Sequence, residues 1–216
     1  MSTTSEQNEP LRPTPSTQDI STAAAAVAAA LDGKIQYALV GGAACAVLGS
    51  PRAPEALEIV VPKGRTAEAR ALLKQLPGSF DVEPRTLHTY FKSGQVRVRV
   101  ELLAPPGMFR DGYDETTPTV LVQDSKIRVL KPTVLLNVKC RTVQEQRTEE
   151  GRRAEAMDIV FLLGWCQRNG ARPTGDEVPR ATIAFVHTFI SLLPSSKEHW
   201  VNAGYDLVRF CCSFRA

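Results

Sequence analysis

The chain has no C-x-x-C pair and no even set of cysteines. Cys45, Cys140, Cys166, Cys211 and Cys212 are five in number and unpatterned. That excludes a disulfide framework or a zinc-ribbon spacing and reads as buried thiols in a reducing compartment. Histidine is scarce: His88, His187 and His199 are too scattered for a metal cluster or a Cys–His nucleophile pair. Charge of one sign is lacking too. Lys and Arg number 26 against 23 Asp and Glu, and a net charge of +3 does not argue for a nucleic-acid partner. The apolar run Ala23 to Leu31 is too short and too rich in alanine to span a bilayer. The polar leader before it holds a single arginine, the wrong flank for a secretory signal. A cytoplasmic protein with no membrane partner is expected. No internal repeat, P-loop or dinucleotide fingerprint is present.

What remains is an ordinary globular composition, 43% hydrophobic and 23% charged over 216 residues. This is enough for one good core, or one domain with a helical annex. Residues 1–19 are polar, with Pro10, Pro13 and Pro15 among Ser and Thr, and are expected to be disordered. Ser21 or Thr22 is expected to cap a helix running to Leu31, stopped by Asp32-Gly33. Strands are expected over Ile35–Val40 and Leu57–Val61, with a short helix of small residues over Ala43–Leu48 between them. Gly49-Ser50-Pro51 breaks the chain after that helix. Thr66–Leu76 reads as a helix with Ala67, Ala71, Leu72 and Leu76 inward, ended by Pro77-Gly78.

Val96 to Leu103 alternates with period two, so Val96, Val98 and Val100 share one face, and Arg97, Arg99 and Glu101 the other. Thr119–Val122 and Ile127–Leu130 suggest a hairpin around Asp124-Ser125. From Pro132, which suits a helix start, the pattern is helical almost to the end. Val134, Leu135, Val138 and Val143 form one stripe. Glu150–Arg168 follows, with Met157, Ile159, Val160, Leu162, Leu163 and Trp165 inward. Ala181–Leu193 and His199–Phe210 supply two more helices, and Trp165 and Trp200 read as packing residues. The expected architecture is an α/β domain over residues 20–130 with a helical region, 131–216, packed on it. Nothing in the pattern speaks to oligomeric state.

Chemistry concentrates in Tyr37 to Val61. Gly41-Gly42 after a strand permits positive φ and a close backbone approach, and the N–H groups opening the next helix favour an anion. Ser50 adds a hydroxyl and Arg52 a guanidinium suited to phosphate. Alone, this is more often just a tight turn.

The order of several such segments is more specific. Val40-Gly41-Gly42, then Gly49-Ser50-x-Arg52, then Ala56-Leu57-Glu58-Ile59, then Val100-Glu101-Leu102 resembles the nucleotidyltransferase superfamily, in particular its minimal and AbiEii-toxin-like members. Leu135 to Lys139 with Arg141, and Glu155 to Leu163 containing Asp158, are similar to that family's lysine and Asp-bearing helices. The resemblance covers roughly residues 35 to 165. It implies a nucleotidyltransferase-like α/β (α+β) fold, a mixed sheet flanked by helices with a C-terminal helical region.

It also implies three carboxylates holding two divalent metals against a nucleotide, so that Mg2+ and a nucleoside triphosphate are the cofactors of an active member. The carboxylates map to Glu58 and Glu101 as catalytic and metal-binding residues, while Ala56 replaces the first acid and offers no oxygen. Pro54 is a further departure. Gly41, Gly42, Ser50, Arg52 and Lys139 become the phosphate-binding set.

Glu55 is adjacent to the vacant position, but strand alternation aims it away from Glu58 unless the strand has not begun there. Arg97 and Arg99 share a face with Glu101, as neutralising partners, as a candidate anion site, or as a solvated strand face. Asp158 lies in an apolar stripe, which calls for a buried partner such as Lys139 or Arg52, in a structural or site-supporting role. The loop Phe109–Pro118 is expected to face the cleft, its aromatics pinning it. Three functions follow. The first is a protein of this fold with an incomplete metal site that binds a nucleotide or other anionic small molecule, put to a different reaction. The second is a working transferase acting on a protein, RNA or small-molecule hydroxyl, and the third is a non-enzymatic interaction protein.

Overall fold

The computed structural model describes residues 14–207 apart from 77, 95, 123–124 and 174. The expected disorder of 1–13 lies outside these, as do Cys211 and Cys212; the helix expected over His199–Phe210 ends at Asn202 within the described residues, which correct it, and its last three residues lie outside them. The first helix, α1 (Thr17–Leu31), starts earlier than expected. Ser16 and Asp19 form a reciprocal capping box, which satisfies two N-terminal N–H groups at once and displaces the weaker start at Ser21. Residues 17–19 are therefore helical, against the reading of 1–19 as a tail. Asp32 is the C-cap and Gly33 takes φ +72°, as its position suggested.

A short strand β1 (Ala38–Leu39) leads into α2 (Gly41–Val47), with Val40 as its N-cap. The two glycines belong to the helix rather than to a turn before it. Then come β2 (Ala56–Val60), α3 (Thr66–Lys74), β3 (Phe80–Val82), β4 (Thr89–Ser93), β5 (Val96–Leu103), β6 (Thr119–Leu121) and β7 (Arg128–Leu130). Strands β3 and β4 were not legible in the sequence. The stripe that α3 turns inward is Ala69, Leu72, Leu73 and Leu76, while Ala67 and Ala71 face solvent. That spacing of three, four and seven covers the sheet better than the stripe read from sequence.

Among the described residues the sheet has seven strands in the order β3-β4-β5-β2-β1-β7-β6. β2 runs parallel to β5 and β1 parallel to β7, while the other neighbours are antiparallel. Helix α1 packs on β2, β4 and β5 beside α3, against the face that carries Val98 and Val100.

The helical region is α4 (Pro132–Glu145), α5 (Glu149–Arg168), α6 (Ile183–Leu192), a 3-10 turn at Pro194–Ser196, and α7 (Lys197–Asn202). Thr148 and Thr182 cap α5 and α6 through their hydroxyls. Helix α4 packs along α5, and α5 reaches α2. Met157 is a correction: it is 53% exposed, and Asp158 takes the inward position. Trp200 is fully buried among Phe185, Phe189 and Tyr205, a packing role as expected. Phe109 and Tyr113 are buried too and pin their loop.

Candidate active site

The parallel pairing of β2 with β5 sets the site. Glu58 is the register partner of Glu101, and Ala56 that of Arg99. Neighbouring strands put register partners on the same face, so the two glutamates stand side by side, with the methyl group of Ala56 two positions back on that face. They line a cleft of about 270 Å3 together with Gly42, Arg52, Glu55 and Lys139. Glu55 meets the exception allowed for it. Strand β2 begins only at Ala56, so alternation does not govern the preceding residue, and the exposed Glu55 carboxylate borders the same cleft.

The glycine pair is shaped around Glu58 itself. Gly41 has φ +62°, and a Cβ there would meet Glu58 Oε2 at 1.6 Å. The Gly42 N–H donates to that oxygen at 3.2 Å. The carboxylate thus occupies the opening of α2 that an anion would take. Burial raises the Glu58 pKa. Glu101 and Glu155 push it the same way, while Lys139 and the Gly42 N–H act in opposition.

Behind the cleft lies a buried ion cluster that ties the helical region to the loop before β2. Asp158 on α5 is 1% exposed and accepts from Arg52 Nε at 3.0 Å and Nη2 at 2.6 Å. Lys139 on α4 meets Asp158 Oδ2 at 2.8 Å and Glu155 Oε1 at 3.0 Å. Both cations expected to serve phosphate are therefore held by carboxylates. Burial alone lowers the Lys139 pKa, but Asp158 and Glu155 outweigh it and hold the ammonium charged. Glu155 had no assigned role in the sequence, although its spacing of three from Asp158 places both on one helix face.

The remaining candidates separate. Ser50 is buried, and its hydroxyl accepts from the Arg52 N–H at 3.4 Å, serving the turn rather than the cleft. Arg99 pairs with Glu101 at 2.9 Å on the exposed strand face. Arg97 does not join it: it pairs with Asp81 at 3.2 Å and lies over the Tyr90 ring at 4.1 Å. Among the described residues, no three His, Cys, Asp or Glu side chains are grouped so as to hold a metal ion. Glu58 is engaged with Gly42, Glu101 with Arg99, and Ala56 has no donor. Among the described residues, no helix is long and apolar enough to cross a membrane.

No family model matches the chain, and no curated protein matches it significantly. Among solved structures, an antigenic nucleotidyltransferase-like protein from Paracoccidioides brasiliensis matches at TM-score 0.63 and 22% identity. That match covers 87% of this chain and 93% of the other. The antibiotic-resistance factor ANT(2'')-Ia matches at TM-score 0.45 and 14% identity over 86% and 98% of the two chains. Terminal uridylyl transferase 4 from Trypanosoma brucei, with bound GTP, matches at TM-score 0.34 and 14% identity over 84% and 68%. The seven-stranded mixed sheet, the helices flanking it and the first of these likenesses give one conclusion: this chain has the nucleotidyltransferase fold.

Proposed function

We propose that this protein binds a nucleotide or a related anionic small molecule in the Gly42–Glu58–Glu101 cleft, and that it lacks the carboxylate set for ordinary two-metal nucleotidyl transfer. The observation that carries the reading is the β2–β5 register. It aligns Glu58 with Glu101 and leaves Ala56, without an oxygen, on the same face. Two carboxylates, each already hydrogen-bonded or ion-paired, hold a divalent ion weakly unless the ligand brings further oxygens. The protein's own residues supply fixed charge and shape: Arg52 and Lys139 are anchored cations on the cleft wall, and Gly42 offers its N–H once Glu58 moves aside. Metals, when a ligand carries them in, would supply charge neutralisation at the phosphates.

The test is thermal shift with ATP and GTP, each with Mg2+ and with EDTA. A ligand selective for the native state raises the melting temperature. A rise with either nucleotide is expected, and no rise under any condition sinks the reading. Ala56→Asp is then expected to create Mg2+-dependent binding where wild type shows little.

A second reading, a working transferase, is favoured by one observation. Glu55 borders the same cleft, where its carboxylate would bring the oxygen that Ala56 lacks. Transfer of labelled nucleotide by wild type, abolished in both Glu55→Gln and Glu58→Gln, would establish it over the first.

A further inference from the structure

The cleft is not charged throughout. Besides its six charged side chains, the residues that line it are glycine, alanine and proline, with one exception, Gln146. Gln146 closes α4 and is fixed through its backbone. Its N–H donates to the Thr142 carbonyl at 3.0 Å, and its own carbonyl accepts from Arg152 Nη1 at 3.2 Å. The carboxamide makes no hydrogen bond among the described residues. It is laid against α5, where a Cβ at Gly151 would meet Gln146 Oε1 at 2.7 Å. Gly151 and Ala154, about one turn apart on α5, line the cleft with it.

A nucleotide is divided in the same way. Its phosphates need cations and N–H groups, the part given to Arg52, Lys139 and Gly42. Its base is a flat, uncharged ring whose edge carries donors and acceptors side by side. A carboxamide holds an acceptor and two donors in one plane, so it can meet such an edge at two points. The charged side chains of the cleft cannot do this, because a carboxylate only accepts and a guanidinium or ammonium only donates. The spacing agrees. Gln146 follows Lys139 by nearly two helical turns, about 10 Å along α4, which leaves room for a ribose between phosphate and base edge.

We propose that Gln146 reads the base: the ring lies at the α5 side of the cleft beside Gly151 and Ala154, with the Gln146 carboxamide hydrogen-bonded to its edge. This rests on the nucleotide reading above and adds the residue that sets base preference.

The experiment is calorimetric titration of the full chain with ATP, with GTP and with tripolyphosphate, which has no base, all with Mg2+ present. Wild type is expected to bind at least one nucleotide more tightly than tripolyphosphate. Gln146→Ala should weaken that nucleotide by about tenfold and leave tripolyphosphate and the melting temperature unchanged. Gln146→Glu leaves only acceptors, which suit the adjacent N–H donors of guanine and not the donor–acceptor edge of adenine. It should raise the ratio of GTP to ATP affinity by about tenfold, and a ratio cancels the effect of the added charge on the phosphates. Nucleotides that bind wild type no better than tripolyphosphate would overturn the assignment of Gln146 alone. So would an unchanged nucleotide affinity in Gln146→Ala, or an unchanged ratio in Gln146→Glu. Absence of any nucleotide binding to wild type would overturn both this assignment and the reading beneath it.

Discussion

At the scale of single residues, Glu58 is held under tension between burial and contact. Its carboxylate accepts one backbone N–H, faces Lys139, and stands near Glu101 and Glu155. The folded pKa lies above that of the unfolded chain, so the native state keeps a proton that the unfolded state has already released. Stability contributed by protonated Glu58 is therefore present at acid pH and lost as pH rises above the usual carboxylate range. Glu58→Gln keeps an acceptor for Gly42 and removes the charge. It is expected to raise the melting temperature at neutral pH by about 2–4 °C, the equivalent of roughly 1 kcal/mol in a chain of this size. Near pH 4 the two proteins should melt together. A Gln variant that melts lower at pH 7 would contradict this, and scanning calorimetry at the two pH values decides it.

At the scale of elements, α4 and α5 hold the cations of the cleft through one residue. Asp158 serves Arg52 from the loop before β2 and Lys139 from α4 at once. Such a cluster fixes position more than it adds stability, because desolvating the charges offsets most of their attraction. Removing one member is another matter. Asp158→Ala leaves Lys139 buried with Glu155 as its remaining carboxylate contact in the cluster, and is expected to cost about 3 kcal/mol in urea unfolding. The apolar pair Asp158→Leu with Lys139→Met should cost less than the sum of its single changes, since neither of these two buried charges is left facing the gap of the other. A loss below about 1 kcal/mol for Asp158→Ala would show that the cluster is not the anchor described.

At the scale of the molecule, the α/β part and the helical part share one core. A single cluster of buried side chains runs from Ile20 on α1 through Leu57 and Val100 in the sheet to Leu162 on α5 and Trp200 on α7. Sequence divides the chain near residue 130, and packing of this kind is expected to make both sides unfold together. Unfolding followed by tryptophan fluorescence, which reports the helical part through Trp165 and Trp200, is expected to coincide with that followed by far-ultraviolet circular dichroism. Two separated transitions would mean two units.

The order of elements was legible because each piece carries its own local signal. The alternation of Val96 to Leu103, the glycines at 41 and 42, and Pro132 at a helix start are written in consecutive residues. The side-by-side placement of Glu58 and Glu101 was also within reach, through resemblance and strand alternation. Strands β3 and β4 were missed because Phe80–Val82 and Thr89–Ser93 are short and owe their state to pairing with each other and with β5. The sequence by itself determined a mixed α/β chain with Ala56 two residues before Glu58. Only the tertiary structure decided that Glu58 fills the glycine opening, that Asp158 claims both cations, that Arg97 turns to Asp81, and that Glu55 joins the cleft. Each of those outcomes is a choice of partner between residues distant in sequence. Such choices follow from packing and charge in three dimensions, which no local period encodes.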